Sequence, residues 1–84
     1  MIIVPDEQLN VPYIELGTYE HYKGNRYEVV GTALDSENLQ PLVIYKPLAE
    51  SKVTFWARPY DMFVGSVRIN GVLISRFKKL DQVE

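Results

Sequence analysis

Turn-forming residues divide this chain into short segments, and their spacing constrains the fold more than any other feature. Gly24-Asn25 follows one aromatic stretch, residues 35–38 are uniformly polar, and Asn70-Gly71 separates two short apolar runs. Gly and Asn tolerate the positive φ angles that tight hairpin turns require. The segments between these turns have the length of strands rather than helices. The sequence therefore predicts an all-β, antiparallel domain.

The segments themselves carry strand patterns. Residues 26–34 alternate, which predicts Tyr27, Val29, Gly31 and Ala33 on one face and a bulge or sharp bend at Gly31. Residues 42–45 form an apolar run between two prolines, which is typical of a buried strand. Residues 53–58 predict a further strand, and 76–80 predict one that closes the sheet. Pro59 predicts the start of one helical turn over 59–63.

These elements together predict five or six short antiparallel strands with one helical turn, arranged as a small SH3-like barrel. The predicted barrel domain covers residues 17–84. Residues 1–16 are expected to form an N-terminal extension, because Pro5 and Pro12 interrupt any helix there. Within it we expect an edge strand over 1–4 and at most one helical turn over 6–9.

Composition excludes several classes of protein. With 84 residues the chain makes one domain with a thin core. It contains no cysteine, which excludes disulfides, thiolate metal sites and a thiol nucleophile, and favours a cytoplasmic location. The net charge of −2 gives no overall attraction to nucleic acid or anionic lipid. No segment has the ~20 apolar residues of a membrane span, so no membrane partner is expected.

His21 is the only histidine, and it is the first candidate for chemistry. Metal sites need several converging ligands, so we expect no metal and no cofactor. The sequence has no Gly-x-Ser-x-Gly elbow and no glycine-rich phosphate loop, which argues against an enzyme. A structural histidine at a strand end is the simplest interpretation. The enzymatic alternative makes His21 a general base that Glu37 orients.

Trp56 and Arg58 form a more specific pattern, because alternation places them on one strand face. An arginine beside an aromatic ring can stack on it and hold an anion with its planar guanidinium. The structural alternative pairs Arg58 with Glu37 or Glu28 at the barrel end. Basic residues near the hairpin ends also indicate, weakly, a nucleic-acid surface; they are Lys23, Arg26, Arg68, Arg76, Lys78 and Lys79.

Several short motifs occur in an order that resembles the small bacterial domain-of-unknown-function family 1653. They are His21-Tyr22-Lys23-Gly24, Tyr27-Glu28-Val29, Ser36-Glu37, Val43-Ile44-Tyr45, Trp56-Ala57-Arg58-Pro59, Met62-Phe63 and Arg76-Phe77. The resemblance spans about residues 17–80 and implies a compact β-rich domain with no assigned activity or cofactor. Its polar signature positions correspond to His21, Lys23, Glu37, Arg58 and Arg76. The extension and the loop over 49–54 depart from the family pattern.

We therefore predict a non-enzymatic module that binds a small anionic ligand or a peptide in a polar-aromatic pocket. Its candidate ligand-binding residues are His21, Tyr22, Lys23, Glu37, Trp56, Arg58 and Arg76. The runner-up is a nucleic-acid-associated barrel that uses Lys23, Arg26, Arg68 and Lys78. A small enzyme with His21 as general base is the third hypothesis.

Overall fold

A computed structural model describes residues 4–80, and within them the chain is mainly β. The strands are Gly17–His21 (β1), Arg26–Leu34 (β2), Pro41–Pro47 (β3), Trp56–Pro59 (β4), Ser66–Ile69 (β5), Val72–Ser75 (β6) and Phe77–Lys79 (β7). Five of them form an antiparallel sheet in the order β4-β3-β2-β1-β7, and β5 and β6 form a separate hairpin. The all-β, antiparallel prediction is confirmed.

The bulge predicted in the long strand is present. Val29 pairs with Tyr45 but Gly31 pairs with Ile44, so Val30 is an extra residue in β2. Directly opposed residues share a sheet face, so the pairing of Thr32 with Val43 puts Thr32 on the face that Val29 occupies. Strict alternation through Gly31 and Ala33 was therefore wrong, because the bulge exchanges the two faces after Val29.

Strand β4 is shorter than the predicted strand over 53–58. Its first residue, Trp56, pairs with Tyr45, and its last, Pro59, pairs with Leu42. Residues 53–55 precede this ladder and have no partner in it. Proline is tolerated here because β4 lies at the sheet edge, where a missing N–H breaks no ladder. The helical turn predicted after it is confirmed as α1, Tyr60–Phe63.

The sheet does not close into a barrel within residues 4–80. Strand β7 pairs with β1, as a closing strand would, but its ladder does not continue to β4 at the opposite edge. Side chains join the two edges instead. Phe77 of β7 stacks on Phe63 of α1 with ring centroids 4.0 Å apart, and Tyr45 of β3 contacts both rings edge-on at 5.5 and 5.2 Å.

These rings belong to a thin core. Its buried members in the described chain are Tyr19, Val29, Val43, Tyr45, Phe63 and Phe77. The extension lies against this core through Ile14, and two tyrosine hydroxyls bind its backbone. Tyr19 donates to the Glu15 carbonyl at 2.7 Å, and Tyr60 donates to the Tyr13 carbonyl at 3.3 Å.

The start of the extension is described only in part. Its predicted helical turn is a single 3-10 turn, Asp6–Gln8. The edge strand predicted over residues 1–4 lies, apart from Val4, outside the described residues. Neither short helix in residues 4–80 has the length or the hydropathy of a membrane-spanning segment.

The β5–β6 hairpin turns at Asn70-Gly71, as predicted. Both residues have positive φ, 50° and 80°, which is the requirement of the tight turns that suit strand twist. Arg68 donates to the Gly71 carbonyl at 3.0 Å and closes the hairpin end. All four β6 residues are exposed, including its three aliphatic side chains. The hairpin therefore projects an apolar surface rather than adding to the core.

Phe63→Ala tests the side-chain connection between the sheet edges. The side chain is 1% exposed and stacks on Phe77, so its removal should lower the free energy of unfolding by about 3–5 kcal/mol. Met62→Ala is the matched control: its side chain is 48% exposed, and it should change stability by only about 0.5 kcal/mol. Urea denaturation measures both. Equal losses in the two variants would contradict this account of the core.

Candidate functional site

A pocket opens between the two sheet edges at one end of the sheet. Its volume is about 230 Å³, and we call it the seam pocket. It is lined by His21, Lys23, Asn25, Tyr27, Tyr45, Trp56, Arg58 and Phe77. Four of the seven predicted ligand-binding residues, His21, Lys23, Trp56 and Arg58, therefore meet in one cavity.

Strand register explains why these residues converge. His21 opposes Phe77 across the β1–β7 ladder, and Trp56 opposes Tyr45 across the β3–β4 ladder. Directly opposed side chains share a face of the sheet. The rings of these two pairs therefore extend the aromatic core toward solvent. Coiling of the open sheet brings β4 close to β7. The pocket thus has an aromatic floor and a polar rim.

Arg58 is held in place without a carboxylate. Its Nε donates to the Tyr45 hydroxyl at 3.1 Å, and its guanidinium carbon lies 5.6 Å from the Phe77 ring centroid. Within residues 4–80 it forms no ion pair, and Glu28 pairs instead with Lys46 at 3.8 Å. The predicted pairing of Arg58 with Glu28 or Glu37 was wrong. The stacked, oriented guanidinium faces a pocket whose lining contains no acid.

His21 forms one wall of the pocket. Its ring packs edge-on against Phe77 at 4.9 Å and lies 4.5 Å from the Tyr22 ring. Its Nδ1 accepts a hydrogen bond from the Lys23 backbone N–H at 3.2 Å, which assigns the ring proton to Nε2 in the neutral form. Burial lowers the His21 pKa, and the charges of Arg58, Lys23 and Arg76 lower it further. The imidazole is therefore neutral at pH 7 and surrounded by positive potential.

Glu37 lies far from this site. It sits beyond the Leu34–Pro41 pair in the β2–β3 connection, where its backbone N–H donates to the Asp35 carboxylate at 2.8 Å. His21 is near the opposite end of β2, and that strand from Arg26 to Leu34 spans roughly 26 Å at 3.3 Å per residue. Glu37 consequently does not orient His21 or contact Arg58. The predicted His21–Glu37 arrangement is not formed.

Lys23, at the rim of the pocket, has its Nζ 5.8 Å from the Tyr22 ring centroid. Tyr22 and Arg76 lie next to the pocket rather than in its lining. Arg76 contributes charge near His21, and its Nε is buried with no hydrogen-bond partner among the described residues. Tyr22 faces a second cavity. The positive potential at the seam pocket is thus stronger than the residues of its lining alone would produce.

Tyr22 belongs to a second, wider cavity that also has His21 in its lining, which we call the outer groove. Its volume is about 460 Å³, and its lining is Glu20, His21, Tyr22, Gly24, Ile74, Ser75 and Lys78. Glu20 and Lys78 oppose each other across the β1–β7 ladder, so their charges offset at its rim. The remaining lining from β6 is the aliphatic Ile74 and the small Ser75.

Some lining residues were not predicted as part of a site. For Tyr27 and Tyr45 a place in the core was favoured over a place in a groove. Asn25 was expected in a turn, and Phe77 was expected in a closing strand. The turn at Gly24 is confirmed, with φ 111°, but Asn25 does not have positive φ. Asn25 also lines the pocket. The alternation of side chains along a strand predicts which residues share a sheet face. Which end of that face is open to solvent depends on the coiling of the sheet.

Several basic residues of the nucleic-acid hypothesis have partners within the chain. Arg26 pairs with Glu20 at 3.4 Å, and Lys79 pairs with Glu15 at 3.7 Å. Arg68 binds its own hairpin turn, and Lys78 faces Glu20. In the described part of the chain, no three acidic or histidine side chains converge as a metal site.

Comparisons with known proteins identify the family of this chain. Residues 17–79 match the sequence model described as "Protein of unknown function (DUF1653)". The chain belongs to the DUF1653 family. A crystal structure of a DUF1653 protein from Bordetella bronchiseptica is 26% identical, with a TM-score of 0.74, and the match covers 84% of this chain and 92% of that one. The comparison with curated proteins gives no match.

The DUF1653 region contains all five polar signature positions that the resemblance implied. Three of them, His21, Lys23 and Arg58, line the seam pocket, and Arg76 lies close enough to lower the His21 pKa. Glu37 is the exception at the far end of the sheet. Four of the five polar signature positions thus lie at or near the seam pocket, and Glu37 lies apart from them.

An NMR titration of His21 tests the electrostatics of the pocket. The single histidine makes the signal unambiguous, and its pKa should lie below 6.5 because of burial and the neighbouring cations. Arg58→Gln should move it back toward 6.5, whereas Arg68→Gln, a matched arginine that binds the turn of the β5–β6 hairpin, should leave it unchanged. A wild-type pKa at or above 6.5 would contradict the assigned field.

The same shift has a consequence for stability. The unfolded chain takes up a proton near pH 6.5, but folded His21 resists protonation until lower pH. The free energy of unfolding should therefore fall as pH drops from 6.5 toward the folded pKa, and stay level for this group above 6.5. Urea denaturation between pH 7.5 and 5.5 measures this, and His21→Gln should flatten the slope. An unchanged slope in that variant would refute the linkage.

Proposed function

We propose that this DUF1653 chain is a non-enzymatic binding module whose seam pocket holds the carboxylate of a small ligand or a peptide terminus. The observation that carries the proposal is the state of Arg58. Its guanidinium is oriented by Tyr45 and Phe77, has no ion pair within residues 4–80, and faces a pocket without acidic lining. Arg58 is partly buried and lacks the counter-charge that arginines removed from water ordinarily have.

Electrostatics favour an anion in this position. Arg58 and Lys23 line the pocket, Arg76 adds to the positive potential, and neutral His21 offers an Nε2–H donor. Hydrogen bonds to a charged group contribute about 1.5–3 kcal/mol each, and a planar guanidinium can bind both carboxylate oxygens. Because Arg58 is already stacked, little rotamer entropy is lost on binding.

The pocket's size favours a small group. A volume of about 230 Å³ is below the roughly 300–1,000 Å³ typical of sites for whole drug-sized ligands. The aromatic floor of Tyr27, Tyr45 and Phe77 suits a short apolar stem behind the anion. A carboxylate on a short stem meets both requirements.

The lining supports binding better than catalysis. It contains no serine, threonine or carboxylate, so His21 has no nucleophile or acidic partner there. The His21 Nδ1 is engaged by the Lys23 backbone N–H. The side chains present orient and neutralise an anion rather than transform it.

Calorimetric titration with N-acetylglycine tests the proposal, with N-acetylglycinamide as the uncharged control ligand. The acid should bind and the amide should not. Arg58→Gln should weaken binding roughly 10–100-fold, which corresponds to the loss of one charged hydrogen-bond pair. Arg68→Gln, the control variant, should bind as wild type does.

Each other outcome counts against the proposal. Equal binding of acid and amide, or an unchanged affinity in Arg58→Gln, would refute an Arg58 carboxylate site. Binding of inorganic phosphate without N-acetylglycine would replace carboxylate with phosphate as the ligand chemistry. Oligonucleotide binding that weakens steeply with salt, and that Lys78→Gln but not Arg58→Gln reduces, would favour the nucleic-acid runner-up.

A further inference from the structure

His21 lines both cavities, which connects two sites of different chemistry. The seam pocket is cationic, and the outer groove is about twice as large. Because one residue lines both, the two cavities adjoin each other. An extended peptide rises about 3.3 Å per residue, so two or three residues reach from one adjoining cavity into the next. A terminal carboxylate and a side chain shortly before it fit this arrangement.

The outer groove is suited to an apolar side chain rather than a charge. Glu20 and Lys78 face each other across the ladder, which leaves little net charge at the rim. Ile74 is 37% exposed on a hairpin strand whose residues are all exposed, and the Tyr22 ring forms part of the opposite lining. An aliphatic side chain placed between them would remove apolar surface from water.

We propose that the occupant is a peptide carboxyl terminus with an aliphatic residue one or two positions before its end. This inference rests on the proposed function, because the terminal carboxylate occupies the seam pocket at Arg58 and Lys23. The aliphatic side chain occupies the outer groove against Ile74 and Tyr22. Asn25 and the His21 Nε2–H supply hydrogen-bonding groups for the peptide bonds between the two subsites.

Charge separates this occupant from a nucleic acid. A phosphodiester backbone that follows both cavities would place further anions in the outer groove, where Ile74 offers no countercharge and Arg26 nearby is already paired with Glu20 at 3.4 Å. A peptide terminus has one anion, followed by neutral peptide bonds and an apolar side chain. The anion of such a peptide matches the cationic seam pocket, its neutral peptide bonds match His21, and its apolar side chain matches the outer groove.

The test compares N-acetyl-Gly-Gly, N-acetyl-Leu-Gly and N-acetyl-Leu-Gly-Gly by calorimetric titration. All three should bind through Arg58, and one of the leucine peptides should bind at least about tenfold more tightly than N-acetyl-Gly-Gly. Ile74→Ser should remove that advantage and leave N-acetyl-Gly-Gly binding intact. Ile69→Ser is the matched control, because Ile69 is an isoleucine of the same hairpin, 38% exposed, outside the groove lining.

Tyr22→Ser provides a second groove variant and should also remove the leucine advantage. Arg58-dependent binding of all three peptides with equal affinity would overturn this inference and leave the carboxylate site standing. A leucine advantage that survives both groove variants, or that Ile69→Ser removes equally, would overturn the assignment to the outer groove. Failure of every peptide and of N-acetylglycine to bind would overturn both proposals.

Discussion

The rest of this structure depends on the contacts that the Phe77 ring makes. It lies on the short edge strand β7, stacks on Phe63 at 4.0 Å and supports the Arg58 guanidinium at 5.6 Å. Hydrogen bonds do not join β7 to β4 within residues 4–80, so these side chains hold the two sheet edges together. Aromatic stacking thus performs the closure that a barrel obtains from its backbone ladder.

Closure by side chains leaves an opening that a continuous ladder would fill. The seam pocket lies at this opening, and its floor is the same set of rings that forms the core. Arg58 is therefore both a cover for Phe77 and the main cation of the pocket. His21 of β1 lines both the cationic pocket and the apolar groove. Core and candidate site are one continuous layer of aromatic side chains.

Local patterns were sufficient to predict the strands, the Asn70-Gly71 hairpin, the helical turn after Pro59 and the bulge near Gly31. These features depend on short-range chemistry such as positive φ, proline geometry and alternation. The role of Glu37 was mispredicted because it depends on which strand ends lie close together in the folded sheet. Strand register and sheet coiling determine this. The residues lining the pocket floor were missed for the same reason, since Tyr45 is a core residue and a pocket residue at once.

The central claim is that Arg58 serves a ligand rather than the fold. It is tested most directly by urea denaturation of wild type and Arg58→Gln, each with and without saturating N-acetylglycine. Because a ligand stabilises only the state that binds it, wild type should gain stability with the acid and Arg58→Gln should not. Without ligand the two should differ by only about 1–2.5 kcal/mol, the combined range of one hydrogen bond and one cation–π contact. The claim would be contradicted if Arg58→Gln were already unfolded without urea and ligand, or if the acid stabilised both proteins equally.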